Sequence, residues 1–511
     1  MHDSVPTTKP LLLRGGFMPG APGREVTVLL NEGVIAALGT PSGVTDDLPP
    51  GTDTIDLEGA TILPGLGDAH VHMTATGFLA TAVDATGAHD LGELLGRVEE
   101  AARATPPGEL VLALRVDPHR MRESRPPSRA ELDAAAPDRA VYLRHVTGHA
   151  SYANTAAMSR LGLHPGATGV EVDEDGVPTG RLTGPATQTA THRAYAAYSH
   201  QIGYETALRK AATKAARSGC TMVHALDDLD AIRTLLAIED DLPVRTVAYP
   251  QTFDLDAVRA LGLRRIGGCH ACALDGDVDV HTAALLEPYL DDASCYGSLY
   301  HNDDTLLAFV LSAHQAGMQL AFHAVGDRAV EQVLRTYEAA NAAEPRENAR
   351  HRIEHAELIS DLQIARARAL GSVLSVQPAF NHVWPHETYL GSLGPDRAER
   401  VDPLARLLHG GLAVAGGSDS TVTELRPLLG VHAAVNHSRE GERLSVQEAL
   451  DAFTVGVAHA AHQEKRRGRT VVGFDADLTI VDGDPLGVAP SELVNISVRA
   501  TIVRGDVVHQ V

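Results

Sequence analysis

The chain has 511 residues, 44% hydrophobic and 21% charged, which is enough for one large core plus a smaller one and leaves no long tract for a disordered or fibrous polymer. Its formal charge of −23 repels phosphate backbones and anionic headgroups, and no dense Lys/Arg stripe offsets it, so neither nucleic acid nor a membrane surface is an expected partner. Four cysteines (Cys220, Cys269, Cys272, Cys295) are too few for a disulfide framework, and no apolar run approaches the ~20 residues of a membrane span, which points to a cytoplasmic, reducing location.

The first ten residues, "MHDSVPTTKP", lack the apolar h-region of a leader. From Leu11 to Leu57 short apolar runs alternate with turn residues, and "EVTVLLNEGVIAALG" reads as two strands joined at Asn31-Glu32-Gly33. An apolar run from Ala60 then leads into "GLGDAHVHM" and a strand ending at His70. Further candidate strands occupy 221–226, 244–250, 265–275, 319–326, 351–357, 372–378 and 412–420, separated by Ala- and Leu-rich helical stretches. With the strand at His70 they total eight, the alternation of a (β/α)8 TIM-like barrel, whose chemistry sits at the C-terminal ends of its strands.

Spacing supports this reading. One βα repeat of ~30 residues separates His323 from His355, and about two separate His355 from Asp419. Between His70 and His224 the chain carries ~120 residues more than one repeat needs, so a large insertion, 75–204, is placed between the first and second strands. The closing segments "ADLTIVDGDPL" and "VRATIVRGDVVHQV" are β-rich with Gly-Asp turns. Neither chain end has enough strands to bury a face alone, so 1–60 and 466–511 are expected to build one small β-sandwich domain beside a barrel of 61–465.

Two histidines at i, i+2 on a strand share a face, so His70 and His72 can reach one ion at the barrel mouth. His323 in "AFHAVGD", His355 in "RIEHAE" and Asp419 in "GGSDS" also stand at strand ends, and neutral imidazoles with one carboxylate are a ligand set for Zn2+ or a similar ion. An isolated pair would read as surface or core. Five ligand-type residues at four strand ends do not. His89, His119, His192 and His462 lie in polar or helical contexts and are read as solvent-facing, and the "CHAC" of Cys269 and Cys272 is read as core first, because a structural zinc site would need a second such pair.

"GLGDAHVHM", "AFHAVGDRAV", "HRIEHAEL", "SVQPAFN", "GGSDSTV" and "GFDADLTIVDGDPL" together resemble the amidohydrolase superfamily, in the branch of N-substituted formamide deformylase; "PSRAELDAAAPDRAVYLRHVTGHASYAN" is similar to the insertion of that branch. The resemblance implies a metal-dependent hydrolase that cleaves a non-peptide carbon–nitrogen bond of a small molecule by attack of metal-activated water. Asp419 would take the water's proton and deliver it to the leaving amine, with His323 and His355 among the metal ligands.

One departure stands out. The resembling branch carries a lysine on the fourth strand, where binuclear relatives bridge two metals. Here that region is "GGCHACALDGD", and none of the chain's lysines (Lys9, Lys210, Lys214, Lys465) lies on a candidate barrel strand. Either one divalent ion is held, or a second is bridged by His270 or Cys272, which strand alternation would place on one face with Ala271 pointing away. The alternative enzyme class is a metal-dependent deaminase, which would want a glutamate shortly after the fifth-strand histidine where this chain has Asp327. A non-catalytic metalloprotein ranks below both, because Asp419 would then have little purpose. Pocket candidates for substrate are His149, Gln377 and the sole tryptophan, Trp384, and a homodimer is compatible with all of this.

Overall fold

The computed structural model describes residues 9–511, so most of the first ten residues, read above as lacking a leader, lie outside the described residues. Through the middle of the chain, eight strands alternate with helices: β1 (Leu66–Val71), β2 (Cys220–Asp227), β3 (Arg245–Pro250), β4 (Arg265–Ala273), β5 (Gln319–Ala324), β6 (Arg352–His355), β7 (Val373–Val376) and β8 (Ala413–Gly416). All pair in parallel, as two hydrogen-bonded sheets ordered β3-β2-β1 and β4-β5-β6-β7-β8. The sheets meet where Asp419 N donates to His70 O at 2.8 Å and Val71 bridges Ser420. Between β3 and β4 a side chain makes the link, Gln251 Oε1 accepting from Cys269 N at 2.8 Å.

Strands β1, β2, β5, β6 and β7 are buried along their whole length, as happens when helices cover one face of a parallel sheet and side chains fill the other. The helix Asp303–Gln315 shows how the outer layer is built. Asn302 caps it by accepting from Thr305 N, Asp303 and Asp304 sit at its positive end, and Gly317 (φ +76°) follows its last turn. Leu306, Val310 and Ala313 form its buried stripe against β5.

Strands from both chain ends form one eight-stranded sheet. The strands Asp506–Gln510, Val498–Val503 and Leu478–Val481 continue through Thr61–Pro64 to Leu11–Phe17, Glu25–Asn31 and Val34–Gly39, and Asp53–Asp56 also pairs with Leu11–Phe17. The hairpin at Asn31 is tighter than a three-residue joint. Asn31 pairs with Val34, and Glu32 and Gly33 are both left-handed (φ +51° and +73°), a two-residue turn whose twist suits the flanking strands.

Between β1 and β2 lies a six-stranded sheet of its own, running from Val170–Val172 through Pro178–Thr183, Ala150–Ala153, Ala140–His145 and Leu110–Val116 to Val83–Asp84. Its two faces bury separate apolar clusters, one against the helix Gly184–Ile202 and one against Leu91–Ala104. Its hairpin Ala140–His145/Ala150–Ala153 carries a loop, residues 146–149, that reaches the ends of the parallel strands. No helix among the described residues is long and apolar enough to cross a membrane.

Candidate metal centre

Four histidines converge at the C-terminal ends of β1, β5 and β6, and each has one ring nitrogen tied outward. His70 Nδ1 faces Glu354 Oε2 at 2.8 Å, His72 Nδ1 the Leu226 carbonyl at 2.8 Å, His355 Nδ1 the Gln377 Oε1 at 2.7 Å, and His323 Nε2 the Gly276 carbonyl at 3.1 Å. Each partner is an acceptor, so in a neutral ring the tied nitrogen carries the proton and the other holds a lone pair.

Those lone pairs point at two atoms. His70 Nε2 and His72 Nε2 lie 3.5 and 3.1 Å from Asp419 Oδ1, while His70 Nε2, His355 Nε2 and His323 Nδ1 lie 3.4, 3.7 and 3.8 Å from Cys269 Sγ. Lone pairs facing a carboxylate oxygen repel it unless a cation lies between them, and Asp419 Oδ1 has no hydrogen-bond partner although it is buried. Among the described residues two three-residue groups have ligand atoms close enough to hold an ion, His70/His72/Asp419 and His70/Cys269/His355, with His70 in both. The residues therefore fit a divalent metal. Of the five expected ligands, His323 alone falls outside both groups, although its ring centroid is only 4.6 Å from that of His355.

Electrostatics agree with that donor set. Burial holds His323 far below its ordinary pKa and His355 down at about 4, so both stay neutral. Burial raises Asp419, and positive charge on His70 and His72 beside it lowers it far more, to well below the usual carboxylate range, while Asp419 in turn raises His72; a cation between them takes over that role with the rings neutral. Burial, then the charges of Asp419 and Glu354, raises the Cys269 thiol well above its usual value, so a thiolate is stable there only opposite a cation. His355 and Asp419 sit at φ +71° and +51°, left-handed backbone at which side chains are re-aimed into the site.

Neither candidate bridging residue of the fourth strand, His270 or Cys272, belongs to a ligand group. His270 stacks flat on His72 (centroids 5.2 Å, planes 2° apart), with Nδ1 3.3 Å from Gln251 Nε2 and 3.6 Å from Asp228 Oδ1. Cys272 packs in the main apolar core. Cys269 holds the place instead. The alternation argument fails because β4 is not regular: its register with β5 slips between Gly268 and Ala273, Gly267 and Gly268 adopt φ +118° and +117°, and His270 is left-handed at +47°. A Cβ at Gly267 would collide with the Ala321 carbonyl, so the kink requires glycine. The Gly-Gly pair was the available signal, since glycines inside a strand mark bulges.

The pocket candidates separate. His149 and Trp384 line a small cavity that opens on His323, His355 and Asp419, together with Thr147, Asp277, Glu357 and Phe380. The His149 ring lies 4.6 Å from that of His323 and is kept neutral by burial, which lowers it to about 3. Gln377 instead positions His355 and is absent from the cavity wall. Asp327, at the place where a deaminase would want its acid, starts the helix Asp327–Ala343, accepts from Leu286 N at 2.8 Å and does not line the cavity.

Three residues behind the ligands escaped sequence reasoning. Arg352, fully buried, clamps Glu354 through Nε and Nη2 at 2.7 and 2.8 Å and donates to His224 Nδ1 at 2.8 Å, so Glu354 is held in the position that orients His70. Arg144, from the inserted sheet, is 4% exposed and its Nε has no partner. In the sequence a buried Arg or Glu looks like any surface charge, and only the neighbours reveal it.

Comparison with known proteins places this arrangement. The chain is 28% identical to YtcJ of Bacillus subtilis (strain 168), over 95% of this chain and 96% of that one. It is 25% identical to N-substituted formamide deformylase of Arthrobacter pascens, over 94% of each. Among solved structures it superimposes on an uncharacterized metal-dependent hydrolase from Pyrococcus furiosus with a TM-score of 0.72 and 26% identity, covering 93% of this chain and all of that one. The architecture is thus a TIM-barrel-like α/β fold. With its histidines and aspartate gathered at the strand ends and residues 53–509 matching the family model, the chain belongs to the amidohydrolase family.

Proposed function

We propose that the protein is a zinc-dependent hydrolase of a non-peptide, amide-type carbon–nitrogen bond in a small molecule, with Asp419 as the proton-transferring base and acid. One observation carries the reading: four outward-tied imidazoles turn their free nitrogens on Asp419 Oδ1 and Cys269 Sγ, and His323, His355 and Asp419 of that centre open on one cavity. Mixed nitrogen, carboxylate and sulfur donors suit zinc better than magnesium or calcium. A divalent ion held there supplies a lowered pKa for water and polarisation of the amide oxygen.

The chain's own residues supply the rest. Asp419, ionised and beside the ligand histidines, would accept the proton that attacking water releases and hand it to the departing amine nitrogen as the C–N bond breaks and the C–O bond forms. Glu354, the Leu226 carbonyl and Gln377 keep His70, His72 and His355 in the tautomer that leaves Nε2 free. His149 and Thr147, from the loop of the inserted sheet, form part of the cavity wall. The domain division 1–60 with 466–511, 61–465 and the insertion 75–204 belongs to the same reading, as does a reducing, cytoplasmic location for four free cysteines.

The test is a panel of N-acyl, N-formyl and cyclic amides offered to zinc-loaded and chelator-treated protein. Zinc-dependent release of amine is expected, lost with metal in the His70→Ala/His72→Ala double variant and reduced ~10²–10⁴-fold with metal retained in Asp419→Asn. Full turnover in Asp419→Asn would remove the base assignment.

A further inference from the structure

The cavity over the centre has an uneven charge. Asp277, Asp279 and Glu357 line it, no lysine or arginine does, and Phe380, Trp384 and Tyr389 complete the apolar part of its wall. Two of the three carboxylates have no partner that accounts for their burial.

Asp277 follows β4 in "DGDVDVH" and is 8% exposed. Its Oδ1 accepts from Val280 N at 2.9 Å, whereas Oδ2 is buried with no hydrogen-bond donor. The Thr147 hydroxyl beside it, which also faces His145 Nδ1 at 2.9 Å, lowers the carboxyl less than burial raises it. Glu357, two residues beyond His355, is 6% exposed and is backed by Asp402, another buried carboxyl with an unpartnered Oδ2. Asp279 differs, since His119 Nε2 and His145 Nε2 stand 3.4 and 3.7 Å from it. The nearby Asp275 differs again: its carboxylate accepts from Ala284, Val325 and Gly326 N and is a structural clamp.

Leaving a buried carboxylate unpaired is costly, and that cost is removed when a cation arrives. Burial, reinforced by Asp279 beside it, pushes the Asp277 carboxyl up to about 7, the response of an acid that lacks a counter-charge. A second metal ion is a poor candidate for that role, because these oxygens do not gather with a third ligand as those of the centre do. Aromatic rings alongside carboxylates suit an organic cation, whose charge is attracted by the ring faces.

We propose that Asp277 and Glu357 form a subsite for a cationic group of the substrate, a protonated amine or a guanidinium, so that the amide presented to the His/Asp centre belongs to a positively charged molecule. The proposal rests on the hydrolase reading for the identity of the bond, but the subsite itself is testable without turnover.

Zinc-loaded Asp419→Asn protein is titrated calorimetrically with benzylammonium and with benzyl alcohol, a neutral molecule of similar shape. Benzylammonium is expected to bind at least 10-fold tighter, and Asp277→Asn and Glu357→Gln, each introduced into that background, are each expected to bring the ratio toward one. Thermal melting of each variant establishes that it is folded. In parallel, a wild-type panel of N-acylated diamines and their neutral alkyl counterparts is expected to show a kcat/KM ratio above 10 in favour of the charged member, falling in Asp277→Asn. Equal binding of the two probes, or a preference untouched by both substitutions, overturns the subsite whether or not any amide is hydrolysed. Absence of turnover with the binding preference intact overturns the hydrolase reading and leaves the subsite standing.

Discussion

Cys269 holds its sulfur 3.4 Å from His70 Nε2, the same nitrogen that lies 3.5 Å from Asp419 Oδ1, so one imidazole faces both candidate ligand groups. If the thiol is a ligand, Cys269→Ser should weaken metal retention at least 10-fold in a chelator competition, while Cys272→Ser, in the core, should leave it unchanged. Cobalt-substituted protein should show thiolate-to-metal charge-transfer absorption that disappears in Cys269→Ser. A wild-type spectrum without that band would place the sulfur outside the centre.

Glu354 is expected to act on the metal through His70. Replacing it with Gln keeps the shape but removes the negative charge that holds the His70 Nδ1 proton, and changes of this kind commonly cost ~10–100-fold in metal affinity. Arg352→Ala should do more harm to folding, about 3–5 kcal/mol, because it strands a fully buried carboxylate. The double variant Arg352→Met/Glu354→Leu separates the effects: its Tm should recover much of the loss while metal retention stays weak. Full metal retention in Glu354→Gln would leave the pair a purely structural role.

Much of this architecture was legible because the signals were periodic. Each of the seven later candidate runs, from 221–226 to 412–420, coincides with one of the strands β2 to β8, since a parallel strand buried on both faces reads as a short apolar run between helical stretches. The ends were less legible. β8 stops at Gly416, and Asp419 is carried into place by a left-handed loop rather than by strand pleat. Strand alternation also misled at β4, where Gly267-Gly268 break the pleat and exchange Cys269 for His270. The partners of His70 and His355 were invisible for another reason: Glu354 and Gln377 matter only through contacts across the sheet, which no local pattern encodes.

Stability should fall on mild acidification because of His351. Leu320 N donates to its Nδ1 at 3.0 Å, so its Nε2 carries the proton and donates to His314 Nδ1 at 2.8 Å, and His314 Nε2 in turn donates to the Glu344 carbonyl. A second proton has no place in this chain. Burial, then His314, lowers His351 to about 3. Since the unfolded value is near 6.5, the unfolded chain binds the extra proton first, and stability is lost as pH falls from 6.5 toward 3. At pH 5 the loss from this residue is about 2 kcal/mol. His351→Gln should start lower in Tm but decline less steeply between pH 7 and 4.5. Parallel Tm profiles for the variant and wild type would show that other groups govern acid unfolding.

The inserted sheet should govern catalysis more than folding, through Gly148. That residue adopts φ +80°, a region costly for side chains, and a Cβ there would collide with the Arg144 guanidinium. Arg144 is buried with an unpartnered Nε, so little else holds it, whereas the next residue, His149, is seated over His323 with ring centroids 4.6 Å apart. Gly148→Ala must move one of the two, the guanidinium or the loop that carries His149 and Thr147 to the cavity. Its backbone strain is worth about 1 kcal/mol or a little more, a small part of the stability of a chain this size. Misplacing groups at a reacting centre by about 1 Å can cost ~10²-fold in rate. The expected pattern is therefore a fall in kcat/KM of at least 10-fold with Tm lowered by only a few degrees and metal content unchanged. Unchanged kcat/KM on a true substrate would show that the inserted loop neither shapes the cavity nor acts in the reaction.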